Sequence, residues 1–339
     1  MTSTSARDLE QTLRELGLTS EAIAAAWPGW WSDEAESSPS ARAELRFGIA
    51  RRLGLEPASL LEGRDPQFAW QEEARFKHSS AETDLERAAL ASFGMSVASL
   101  ALSVTPGERN LLAGRGAPEL RNLLLGTDQP FVGLSELLSL AWSVGIPVLH
   151  LRVFPWPQKK MAGMSATIGD RSAVLLARDS NYPASPSFFI AHELGHIALG
   201  HMTNGDAIVD LDDQATQSVA HADREEAEAD AFALELLTGD SRPRVLPHAE
   251  SATPTARGLA QEAIRVGRDR RIEPGVLAQA YGYTTGDWRT ASGSLRFVYS
   301  AASPIWQVIN RIAWGQMSSS ELPLDPKKFL ESVLGEPDT

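Results

Sequence analysis

The stretch His192-Glu193-Leu194-Gly195-His196 decides how the rest of this chain is read. Residues four apart on a helix lie one above the other, so the two imidazoles face the same way and can grip one zinc ion. The glutamate between them is then placed to act on a water held by the metal. Two conditions follow: the stretch has to be helical, and a third ligand has to come from elsewhere.

The helix is signalled on both sides of the motif. Ser185 is a candidate cap, Pro186 suits a first helical position, and Phe188, His192, Gly195 and Leu199 fall on one stripe. Gly200 is the expected stop.

For the third ligand, the acid-rich run Asp223-Arg224-Glu225-Glu226-Ala227-Glu228-Ala229-Asp230 leads into the apolar residues 231–237, which reads as a second helix. Glu226 and Asp230 sit one turn apart, with Ala233 and Leu237 continuing their line, so this side is at least partly buried. A buried carboxylate needs a metal or a hydrogen-bond partner. Zinc for Glu226 and a ligand imidazole for Asp230 would satisfy both. Asp223 and Glu226 also form an Asp-x-x-Glu capping pattern, and spacing alone leaves Glu225 and Glu228 open as ligands.

HELGHIALGH followed by EEAEADAFALELL resembles the ImmA/IrrE family of zinc metallopeptidases, whose pattern pairs HExxH with a Glu-x-x-x-Asn/Asp-x-Phe-Ala segment. The resemblance covers roughly residues 134–239 and implies that Glu226 is the third ligand. That family leads into its HExxH helix with a small sheet; residues 145–151, 162–169 and 172–177 read here as its strands. The implied fold is α+β and predominantly helical, with a zincin-like metallopeptidase core. A metzincin is excluded by Leu199 and Met202, which stand where that class needs glycine and histidine.

Four segments are expected: a helical, degenerate helix-turn-helix-like domain over residues 1–65, a helical connector over 66–133, the metallopeptidase core over 134–240, and a helical C-terminal domain over 256–339. In the first, Leu9, Leu13 and Leu16, then residues 23–27, then Leu45, Ile49 and Leu53 carry helical spacing. Residues 50–61 resemble the closing helices of a lambda-repressor-type domain, which some ImmA/IrrE proteins carry ahead of the peptidase. Where a recognition helix should present basic and amide groups, residues 27–36 hold tryptophans and acids, so direct DNA binding is not expected. Trp27, Trp30 and Trp31 could anchor a partner or pack in a core.

Residues 72–75, with Lys77, read as a solvated connector. Residues 81–102, 108–125 and 134–144 read as helices, residues 239–255 as a linker, and 259–266, 274–281 and 306–314 as a helical tail. The acids Asp206, Asp210, Asp212 and Asp213 do not match a calcium loop and read as a solvated loop at the site's rim.

The 339 residues, 43% hydrophobic and 22% charged, suit a globular protein of two or three domains. There is no cysteine, so disulfides, thiolate catalysis and a Cys-ligated zinc are excluded, and a cytoplasmic setting is expected. The opening residues lack the basic and apolar regions of a signal peptide. Residues 88–104 carry no charge but are short and broken by serines, so a buried helix is expected rather than a membrane span. A net charge of −13 opposes broad binding to nucleic acid or anionic membranes.

The residues, with the third ligand taken from what the resemblance implies, thus point to one Zn2+ per chain on His192, His196 and Glu226, with Glu193 as general base and acid and Asp230 steadying a ligand imidazole. His201, His221 and Tyr182 are candidate oxyanion stabilisers. The resemblance implies a cytoplasmic endopeptidase that cuts a cognate repressor or antitoxin in a stress-response or phage-related system. The other reading is a zinc-containing sensor or protein-binding regulator that does not cleave. Neither reading fixes the oligomeric state.

Overall fold

The structure, a computed structural model, describes residues 5–70, 74–77, 84–107, 111–126, 128–156, 161–202, 204–211, 224–243 and 254–336. The chain opens with helices α1 (Ala6–Glu15), α2 (Ser20–Ala26), α3 (Asp33–Glu36), α4 (Pro39–Leu53) and α5 (Pro57–Leu61). Strand β1 (Ala74–Lys77) precedes α6 (Asp84–Ser103), α7 (Ala117–Leu125) and α8 (Leu134–Ser143). Then come β2 (Val148–His150), β3 (Met161–Ile168), β4 (Arg171–Leu176), α9 (Ala184–Leu199), β5 (Ala207–Leu211) and α10 (Arg224–Thr238). The chain closes with α11 (Ala256–Arg270), α12 (Pro274–Thr285), α13 (Trp288–Val298), α14 (Ile305–Gln316) and α15 (Leu324–Leu334). The molecule is mixed α+β and mostly helical.

Local chemistry accounts for many of these boundaries. Ser5 and Asp8 form a reciprocal capping box on α1. Thr19, Ser32, Ser38, Thr255 and Asp287 each accept a backbone N–H at the start of a helix. Proline occupies the first turn of α4, α7 and α12, where its missing N–H costs nothing.

The sheet runs β1-β5-β3-β4-β2, with β3 in the middle, antiparallel to both neighbours. The outer pairs β1–β5 and β2–β4 are parallel. Alternation along the strands sends side chains to two different cores. Leu149, Met161, Met164, Ala173, Leu175 and Val209 join one core, together with α6, the N-terminal helices and α15. Val148, Val174 and Leu176 join the other, with α8, α9, α10 and α11 to α13.

Several sequence expectations are corrected here. Residues 74–77 are an edge strand paired with β5, not a connector; Glu72 lies outside the described residues. Residues 207–211, expected as an acidic loop, form the strand between β1 and β3, and Asp206 leads into it. Asp212 and Asp213 lie outside the described residues. The helix expected over 108–125 is shorter, beginning at Ala117 just before Pro118. In the tail, α13 and α15 were not foreseen.

The segments expected as separate domains share these two cores. Phe329 of α15 meets Phe93 of α6 edge-on, with ring centroids 6.0 Å apart. Trp30 donates its indole N–H to Asp325 at 2.6 Å, and Arg52 lies 3.5 Å from the same carboxylate. Trp27 and Trp31 pack against the core beside them, so the acidic tryptophan segment is docked on the C-terminal helix of the same chain. Among the described residues α6 alone is long and apolar enough to cross a membrane by length and composition, and 72% of its most apolar window is buried inside the protein.

Candidate metal centre

Helix α9 lies on the sheet face opposite α6 and carries the HExxH residues. It starts earlier than expected: Pro183 occupies the capping position, so Ser185 is inside the helix, where its hydroxyl accepts from Gln279 of α12. The helix ends at Gly200, as expected.

The third candidate ligand comes from α10, which crosses α9 at Gly195. A Cβ on Gly195 would lie 3.3 Å from the backbone of Ala229 and 3.2 Å from Phe232. Only glycine lets the two helix backbones approach this closely without displacing a neighbour. Glu226 and Asp230, on either side of Ala229, are thereby brought against His192 and His196.

The donor atoms converge. Nε2 of His196 is 3.0 Å from Nε2 of His192 and 3.0 Å from Oε1 of Glu226, and Nε2 of His192 is 3.4 Å from Oε2 of Glu226. All three residues are buried, His196 completely. Ligands at zinc's usual bond lengths around a tetrahedron stand about 3.3 Å apart, so this donor set fits a zinc-sized ion. Two imidazoles and one carboxylate facing a common point are a group that could hold a metal.

Electrostatics agree with that geometry. Burial pushes the Glu226 carboxyl upward, but hydrogen bonds and charge from His192 and His196 outweigh it and hold the group below the usual carboxylate range. Glu226 is therefore an anionic oxygen donor. Among the acids left open by spacing, Glu225 is half-buried and Glu228 is engaged by Arg224 and His201.

Asp230 accepts from Nδ1 of His192 at 2.9 Å, on the side of the ring away from Glu226. This contact fixes the ring's orientation and leaves Nε2 as the donor atom. Glu193 is 1% exposed, its carboxylate lying against the backbone of Gly163 on β3. Strand β3 carries a bulge at this point, between Met161 and Gly163. The oxygen of the bulged Ala162 accepts from Ala177 at 3.1 Å and from Arg178 at 3.4 Å.

Of the three oxyanion candidates, the two that lie among the described residues are not gathered at the centre. His201 is engaged at both ring nitrogens, by His196 and Glu228, and stands behind the ligand rather than facing a substrate. Tyr182 stacks on Tyr299 with ring centroids 5.3 Å apart, ahead of the start of α9 and about 12 Å of helix before His192. His221 lies outside the described residues, as does Asp223. Sequence reading missed Gly163, whose place under Glu193 depends on β3 pairing, and the contact between His201 and His196. The only sequence signal for the latter is a histidine directly after the helix-stopping Gly200.

Phe188, one turn before His192, stacks with Tyr283 of α12 at 4.3 Å between centroids, and Tyr283 meets Trp288 at 4.6 Å. These rings fix the N-terminal half of α9 against the C-terminal helices. No family model, curated protein or solved structure matches this chain.

Proposed function

We propose that this protein is a zinc-dependent endopeptidase with a zincin-like core, of the ImmA/IrrE type, acting in the cytoplasm on a cognate repressor or antitoxin. The observation that carries the reading is the convergence of His192, His196 and the Glu226 carboxylate within 3.0–3.4 Å, with a second carboxylate, Glu193, buried on the same helix. A purely structural zinc site has no need of Glu193. The target class rests on the resemblance of the two motif segments.

His192, His196 and Glu226 would hold the ion. When bound there, zinc supplies a water of near-neutral pKa and polarises a peptide carbonyl. Glu193 takes the proton from the attacking water at its carboxylate and returns it to the departing amine nitrogen. Asp230 keeps the His192 ring turned so that Nε2 remains the donor atom. Burial around the triad excludes bulk water, which strengthens each of these interactions.

The deciding experiment compares protein N-termini by mass spectrometry in host cells expressing wild type or Glu193→Gln, with and without DNA-damaging stress. A new terminus appearing with wild type alone establishes a site-specific peptidase and identifies its target. Equal termini under stress, from a protein carrying stoichiometric zinc, would favour the non-cleaving sensor instead.

A further inference from the structure

Asp230 accounts for the outward nitrogen of His192, and the corresponding nitrogen of His196 has a different partner. Nδ1 of His196 lies 2.9 Å from Nδ1 of His201, and Nε2 of His201 lies 3.2 Å from Oε2 of Glu228. The other oxygen of Glu228 accepts from Nε of Arg224 at 2.7 Å. His201 is held under His196 by its own backbone, whose N–H donates to the His196 carbonyl at 3.0 Å as the chain turns at Gly200. Its side chain is 7% exposed.

The proton positions along this line follow from donor and acceptor counting. Two neutral imidazole nitrogens facing each other need one proton between them. With the lone pair of His196 on Nε2, its proton is on Nδ1 and His201 accepts at Nδ1. His201 then carries its own proton on Nε2 and donates to Glu228. The opposite arrangement would put a proton on Nε2 of His196, where His192 and Glu226 converge, and set a bare His201 nitrogen against a carboxylate. With an ion bound among the three donor atoms, only the first arrangement satisfies every contact.

We propose that His201 and Glu228 are positioning residues for His196: a neutral imidazole and a carboxylate in series that lock its tautomer and raise the donor strength of its Nε2. This rests on the zinc reading above. Helix α10 then supplies the carboxylate ligand Glu226, a direct support at Asp230 and a relayed support at Glu228, all at two-residue intervals.

The test is zinc affinity of the full-length protein, measured by competition with a chromogenic chelator, with thermal melting of the metal-free protein alongside. His201→Ala weakens zinc binding by about 10–100-fold. His201→Asn recovers part of that loss, because the carboxamide oxygen stands where Nδ1 stood and still accepts from His196. Glu228→Ala, on the surface and harmless to folding, gives a smaller loss. The double variant His201→Ala/Glu228→Ala is no weaker than His201→Ala alone, since Glu228 acts only through His201. Wild-type affinity in His201→Ala, or losses that add in the double variant, would overturn the relay. A wild type that binds no zinc, or binds it without His192 and His196, overturns the metal-centre reading itself and the relay with it.

Discussion

Oε1 of Glu193 lies so close to the backbone of Gly163 that a Cβ on that residue would stand 2.6 Å from it. The proposed base is thus seated on a strand from the middle of the sheet, at a position where a Cβ would displace it, directly after a bulge.

Gly163→Ala is therefore expected to leave the fold intact and displace the carboxylate, which is the far end of a flexible side chain. A shift of about 1 Å at a reacting group costs on the order of 10²-fold in rate. The check is turnover of the substrate found by the N-terminal comparison, with zinc affinity measured on the same protein. Lost turnover at unchanged affinity is the expected pair; lost affinity would place the glycine's role in packing the ligands instead.

Asp230 touches His192 from a half-exposed position, so its removal costs the core little. Asp230→Ala is expected to weaken zinc binding by about 10–100-fold, while Asp230→Asn, which keeps an oxygen acceptor for Nδ1–H, is milder. Chelator competition separates the two. Equal effects from both variants would mean that charge, rather than ring orientation, is what Asp230 provides.

Glu273 caps α12 by accepting from Val276 at 2.7 Å and also accepts from the Tyr299 hydroxyl at 2.9 Å. Burial raises its carboxyl pKa above the ordinary 4.5, outweighing hydrogen bonds from Val276, Gly275 and Tyr299 that act the other way. The folded state thus holds this proton to higher pH than the unfolded chain, so the group's contribution to stability is fullest below 4.5 and declines as pH rises towards the raised value. Glu273→Gln keeps an accepting oxygen but cannot ionise. Its urea midpoint should gain on wild type as pH rises and lose that advantage below 4.5; a gap independent of pH would contradict the assignment.

Phe329 is 1% exposed and meets Phe93 edge-on where α15 crosses α6. Phe329→Ala should cost about 3–5 kcal/mol of stability through the cavity it leaves. Because the N-terminal helices and α15 share that core, limited proteolysis should show both ends of the chain loosening together. Cleavage confined to the C-terminal helix would mean that the N-terminal helices hold their place without it.

The readable parts of the sequence were those whose signal lies within a turn or two of helix. His192 and His196 align because they are four apart, and Glu226 and Asp230 share a face for the same reason. Residues 74–77 and 207–211 do not read as strands because charged or acidic neighbours suggest a loop. What makes them strands is pairing in register with each other and with β3, from partners far along the chain. Residue type alone suggests Ser185 as a cap, whereas Pro183 takes that place and α12 engages the serine.

By itself the sequence determined the aligned pair His192 and His196, the acid-rich helix start that offers a third candidate ligand, and the absence of any cysteine alternative, because residue type and helical periodicity are local. Only the tertiary structure decided that α10 meets α9 across Gly195, that Glu193 rests on Gly163, that His201 stands behind His196, and that the chain's two ends share one core. Those depend on close approach between segments distant in sequence, which is set by the packing of whole surfaces and leaves no periodic trace in either segment.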